Sequence, residues 1–216
     1  MPRRFAAALA IIVSTSLIAA GGCAGPGGRT VAPENSVVSG QDTPGGEEES
    51  ASIVYVIDGS TSMLRIMGAV KYELKRVICE LSEEKRFQVI FYGATVSKIP
   101  GSEPVPATEK SKAAALRLID DYVVTDRGDG PEAAFEHMFA CRPRPDIIYF
   151  LAGDRVRPSL VQLVHRLSKG CRPTIYTLRV AQYAGDDSVL KELAAAGGGT
   201  YKFVTEDDLD RLIRQE

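Results

Sequence analysis

Five consecutive apolar residues, Ile53-Val54-Tyr55-Val56-Ile57, run directly into Asp58-Gly59-Ser60-Thr61-Ser62. An uninterrupted β-branched and aromatic run of this length reads as a strand buried on both faces, which needs helices on both sides of its sheet. The rest of the chain supplies them. Leu64, Met67, Val70, Leu74, Val77, Ile78 and Leu81 recur at helical spacing and predict a helix over 62–81. Further strands are predicted at 87–92, 147–151, 174–180 and 201–204, with a short edge strand at 95–99 that Pro100 ends. Helices are predicted at 110–122, 131–139, 158–167 and 187–196. Pro131 stands at a first helical position with Asp129 or Gly130 as its cap, and Gly197-Gly198-Gly199 stops the last of the four. Thr205 caps a closing helix to Arg214. This alternation predicts an α/β fold: three layers around a doubly wound, mostly parallel sheet with one short antiparallel edge strand. Ligands of such sheets sit beyond the carboxyl ends of the strands, where the strand order reverses.

The 216 residues and 44% hydrophobic content suit one domain with appendages. Arg3-Arg4, an uncharged stretch from Phe5 to Ala20 and the small residues Gly21-Gly22 form a secretory signal peptide over 1–23. An uncleaved span is the alternative, although the run is short for one and Ser14, Thr15 and Ser16 dilute it. Cys23, closing this segment, resembles the bacterial lipobox cysteine that becomes lipidated, with Ala20 where that motif prefers Leu. Ordinary cleavage nearby, for instance after Ala24, is the competing outcome. Arg3-Arg4 matches little else of a twin-arginine signal. Residues 24–50, rich in Gly, Pro, Ser, Thr and Glu, read as a disordered linker to a domain over 51–216. The expected location is therefore the periplasm or cell envelope, with membrane attachment only through an N-terminal lipid or signal anchor. With 26 basic and 28 acidic side chains and no basic cluster, the chain lacks the charge of a phosphate-tracking nucleic-acid protein. His137 and His165 are the only histidines, few for zinc or acid–base chemistry.

Asp58, Ser60 and Ser62 lie at the favoured sheet edge, and each offers oxygen. Oxygen-only ligands suit a hard cation such as Mg2+ or Mn2+, with water or a partner's carboxylate completing the shell. Asp and Ser are also good helix caps and would stand here in many α/β domains for that reason alone.

Val56-Ile57-Asp58-Gly59-Ser60-Thr61-Ser62-Met63 resembles the signature of the von Willebrand factor type A fold, a Rossmann-like domain whose first strand ends in an Asp-x-Ser-x-Ser loop. The resemblance extends through Arg86–Tyr92, Val105–Ala113, Asp146–Asp154 and Leu193–Val204. It implies a protein-interaction domain with a metal-ion-dependent adhesion site. Members with a working site also use a Thr before the third helix and an Asp after the fourth strand. Here the first stretch is Arg127-Gly128-Asp129-Gly130 and the second Ala152-Gly153-Asp154. Asp129 and Asp154 either substitute, giving a rearranged site with three carboxylates, or the metal site has been lost and the two serve as helix cap and turn former. Arg127-Gly128-Asp129 also spells an integrin-recognised tripeptide, a match short enough to arise by chance.

Cys141 and Cys171 each precede an Arg-Pro pair and a strand. If those strands are neighbours, as the resemblance implies, a Cys141–Cys171 disulfide would form in an oxidising compartment. Burial as small apolar residues is the alternative for all three domain cysteines, Cys79 included. No cysteine has a local histidine to act as a base. The expected function is binding of an unidentified protein partner, without enzymatic activity. A structural surface lipoprotein with a vestigial metal site is one alternative. A metal-dependent hydrolase using Asp58 is another; the haloacid-dehalogenase phosphatases carry Asp at this strand end, but their second Asp is replaced here by Ser60.

Overall fold

The computed structural model describes residues 51–128 and 130–209. The expected signal peptide with Cys23, the linker, Asp129 and the end of the closing helix lie outside the described residues. In chain order the elements are β1 (Ser52–Asp58), α1 (Met67–Cys79), β2 (Arg86–Tyr92), β3 (Val96–Ile99), β4 (Val105–Pro106), α2 (Glu109–Asp121), α3 (Glu132–Ala140), β5 (Ile147–Ala152), α4 (Ser159–Leu167), β6 (Thr174–Ala181), α5 (Ser188–Ala196) and β7 (Tyr201–Thr205).

The strands form one sheet in the order β3-β2-β1-β5-β6-β7, with β4 also paired to β2. β2, β1, β5, β6 and β7 run parallel, whereas β3 and β4 are antiparallel to β2. The antiparallel edge therefore holds two short strands rather than one. Side chains of β1 divide by the strand's two-residue period. Ile53, Tyr55 and Ile57 enter the core shared with α1 and α2, while Val54 and Val56 enter the core shared with α3, α4 and α5. A strand apolar at every position is the direct consequence of being covered on both sides. Tyr55, Tyr149 and Tyr176 stack across β1, β5 and β6 at 5.3 and 5.2 Å, a ladder set by the parallel register.

The long helix expected over 62–81 is divided. Residues Thr61–Met63 form a tight 3-10 turn, closed by Met63 N–H to Ser60 O and Leu64 N–H to Thr61 O, and the α-helix starts only at Met67. The change of winding turns Met63 fully inward and leaves Leu64 exposed, although Leu64 fits the helical spacing. Pro131 precedes its helix as cap rather than standing at its first position, and Gly130 adopts φ +108° before it.

The cysteine pairing expected from the resemblance does not form. β5 and β6 are neighbours, but Cys141 and Cys171 are both free. The Cys141 thiol lies 3.4 Å from Ser102 O, beneath the turn between β3 and β4, and 4.0 Å from Gln88 Oε1. Cys171 instead packs against the core on the α3–α5 side. Cys141 also has a histidine one helical turn before it, His137, with Nε2 at 3.5 Å from the sulfur. Burial pushes the thiol up and the imidazole down from their ordinary values, so both groups favour their neutral forms.

Candidate functional site

The chain leaves β1 toward β2 on one side and later returns to β5 on the other, so the strand order reverses between β1 and β5. Asp58 ends β1 at that point and is 2% exposed. A buried carboxylate requires donors, and this one has three. Its Oδ1 accepts from Ser60 N–H at 3.0 Å and its Oδ2 from Gly153 N–H at 3.1 Å, across the reversal. The Tyr92 hydroxyl, at the end of β2 and in register with Asp58, is the third. Burial foremost, with Asp58 and Asp154 adding to it, pushes the Tyr92 phenol well above its ordinary range, so it stays a donor in neutral solution.

Glycines let the loops close to this distance. Gly59 donates to Tyr92 O at 2.7 Å, and its own carbonyl accepts from Thr125 N–H at 3.0 Å and from the Tyr122 hydroxyl at 3.1 Å. A Cβ at Gly59 would stand 1.9 Å from that hydroxyl, so no larger residue fits there without displacing Tyr122. The Ser60 and Ser62 hydroxyls lie 2.8 Å apart, Ser60 buried and Ser62 facing solvent. A cleft of about 30 Å³ opens beside Asp58 and Ser60, bounded opposite by Arg127, Gly130 and Asp154. The Arg127 Nη1 stands 3.4 Å from Asp154 Oδ2, with the two side chains 64% and 41% exposed. Arg155, which also lines the cleft, pairs with Asp186, and the Arg157–Glu132 pair lies beside Gly130. A groove of about 780 Å³ lies elsewhere, at the amino-terminal edge of the sheet around His165, Lys169, Cys171 and Arg172, and its lining holds no carboxylate.

Residues 51–203 match the family model described as von Willebrand factor type A domain. The chain belongs to the von Willebrand factor type A family. Among solved structures it is similar to a von Willebrand factor type A protein from Catenulispora acidiphila, at 20% identity and a TM-score of 0.62, over 76% of this chain and 42% of that one. It is also similar to proximal thread matrix protein 1 from the mussel byssus, solved with a zinc-occupied MIDAS motif, at 19% identity and 0.58, over 76% and 44%. An aerotolerance-related membrane protein from Bacteroides fragilis aligns at 11% identity and 0.53, over 77% of this chain and all of that one. The chain thus spans less than half the length of the first and second of these. Identities this low establish the fold and leave activity open. No curated protein matches the chain.

The von Willebrand factor type A loop has the donor chemistry for a hard cation on one wall only. Asp58 and Ser60 line the cleft, and the Ser62 hydroxyl lies 2.8 Å from that of Ser60. On the facing wall Gly153 stands where relatives with a working site carry Asp. A Cβ added to Gly153 would meet Met63 Sδ at 2.2 Å and Ser62 Oγ at 3.2 Å, so the space for that side chain is already filled. Asp154 is near but directed to Arg127. Gly130 cannot stand in for the missing Thr, because its φ of +108° strains any β-branched residue and it carries no oxygen side chain. Asp129 lies outside the described residues. The described residues therefore do not fit a complete cation site, and among them no group of three or more His, Cys, Asp or Glu side chains converges to hold a metal.

Sequence reading missed three participants. Tyr92 was legible as the residue facing Asp58 if β1 and β2 pair in parallel. Met63 and Arg127 had no such signal, since one follows from the 3-10 turn and the other from loop conformation.

Proposed function

We propose that this chain is a protein-interaction module held outside the cytoplasm by its N-terminus, and that it meets its partner with the loop face around Asp58. One observation carries the reading: three of the large apolar side chains most exposed to solvent stand on loops at that edge. Leu64 follows the Asp58 loop, Val123 follows α2 beside it and Tyr183 follows β6, at 64, 73 and 75% exposure. Apolar anchors among arginines are what a protein interface concentrates. Lipidation of Cys23, or a retained signal segment, would fix the module to a membrane. Among the described residues no helix is long and apolar enough to cross one.

The module acts by binding. Asp58 is engaged by three internal donors, and Asp154, the other carboxylate that lines the cleft among the described residues, is paired with Arg127. A second reading, cation-dependent binding through Asp58, Ser60 and Ser62, is favoured by the 2.8 Å between the serine hydroxyls. Adjacent ligands of an octahedral Mg2+ are separated by about 3 Å. A purely structural lipoprotein would leave the apolar face without a use.

A photo-crosslinking residue at Val123, compared with one at Lys169 by the opposite groove, tests the face in intact cells. The reading expects an adduct from position 123 alone. Adducts only from position 169, or from neither, sink it. Cys23→Ser should release the protein from the membrane fraction, and an unchanged distribution removes the lipid anchor.

A further inference from the structure

We propose that Arg127 is the resident cation of this cleft: its guanidinium holds the place that a divalent metal would need and keeps such a metal out. Four observations converge. Arg127 bounds the same 30 Å³ cleft as Asp58 and Ser60, so a cation bound there would sit beside a guanidinium charge. Asp154, the nearest carboxylate on the facing wall, is already engaged by Arg127 Nη1 at 3.4 Å. Gly153 supplies a backbone N–H to Asp58 Oδ2 at 3.1 Å instead of a carboxylate to an ion. Met63, fully buried, fills the volume that the missing side chain would take. Asp58 is thereby satisfied by three donors without a metal, and a cation would have to displace some of them while facing the guanidinium.

A chain that had simply lost two ligands would need none of this. It would leave an acidic, weakly metal-binding cleft. Here the facing wall presents a guanidinium and a backbone N–H where a metal-binding wall would present ligands. The inference deepens the interaction reading, and rests on it for the role of this cleft as the contact point. Its test uses metal alone, so the two can fail separately.

The full chain is titrated with Mn2+, following the free-ion paramagnetic resonance signal and the calorimetric heat. Wild type, Arg127→Gln, Arg127→Lys and the double variant Asp58→Asn/Arg127→Gln are compared. Removing the guanidinium frees Asp154 and removes the repulsion, so Arg127→Gln should bind Mn2+ about tenfold more tightly than wild type or better. Arg127→Lys keeps the charge and should stay close to wild type, and the double variant should lose the gain. Arg127 is exposed, so none of these changes at that position threatens the fold. Wild type and Arg127→Gln binding Mn2+ equally, whether well or not at all, overturns the proposal. So does a gain in Arg127→Lys equal to that in Arg127→Gln.

Discussion

The two walls of the Asp58 cleft are built on different principles. On the β1 side the polar groups are buried and tied to backbone. Asp58 accepts from two peptide N–H groups and a phenol, and Gly59 is bonded through both its N–H and its carbonyl. On the β5 side the polar groups are exposed and tied to each other, as the Arg127–Asp154 and Arg155–Asp186 pairs. Buried, fully bonded groups hold one geometry because each alternative leaves a donor or acceptor unpaired. Exposed ion pairs hold their geometry weakly, since water and salt compete for both partners. The first wall therefore acts as a fixed frame and the second as an adjustable surface. That division suits a face that must recognise something.

The comparison breaks most visibly at Gly153, where the walls touch. Gly153→Asp places a side chain 2.2 Å from Met63 Sδ and a second carboxylate beside Asp58. Overpacking and like charge together should lower stability by about 2–4 kcal/mol, read from denaturant midpoints. Met63→Ala in the same chain should recover part of the loss by emptying the contested space. If Gly153→Asp melts like wild type, the walls are not in contact and the account of the lost carboxylate fails.

A smaller loss separates the frame from the surface. Asp58→Ala leaves the Ser60 and Gly153 N–H groups and the Tyr92 hydroxyl without their acceptor at a buried position, which should cost about 2–3 kcal/mol. Tyr92→Phe removes one of the three donors and should cost about 1 kcal/mol. The same variant carries a pH signature. The folded Tyr92 phenol sits well above its ordinary 10.0, so its contribution is whole below that pH and drains away as the pH climbs past it. Tyr92→Phe should flatten the alkaline loss of stability above about pH 10 relative to wild type. Equal slopes would mean that Tyr92 is not held neutral by its burial beside Asp58.

Much of the frame was legible beforehand, and the reason is period. Continuous apolar runs mark β1 and β5, and a run broken only by Gln88 marks β2, because both faces are covered. The three-and-four spacing marks the helices because one stripe is covered. Asp58, Ser60 and Ser62 could be placed together because they share one loop at a known strand end. What failed were features that period does not encode. Leu64 kept the helical spacing yet stands just after a 3-10 turn. Cys141 and Cys171 sit before adjacent strands, yet the Cys141 thiol turns to Ser102 O and Gln88 rather than to Cys171. His137, one helical turn before Cys141, was readable from spacing and was overlooked. The adjustable wall was the least legible part. Sequence shows that Gly153 carries no ligand and that Asp154 follows it, but the pairing of Arg127 with Asp154 depends on two loops brought together by the reversal between β1 and β5.

That pairing gives the smallest expected effect and the most direct check on the contrast. Arg127 and Asp154 are both substantially exposed, so their attraction is screened and offset by the entropy of holding two side chains in place. Asp154→Asn should change stability by less than about 0.5 kcal/mol. Whatever remains should vanish in 1 M salt, where the screening length falls to about 3 Å. Asp58→Ala, whose loss comes from unpaired buried donors, should remain nearly as destabilised at high salt as at low. If the two variants instead shared one salt dependence, the cleft would have a single kind of wall, and the frame-and-surface distinction would have to be abandoned.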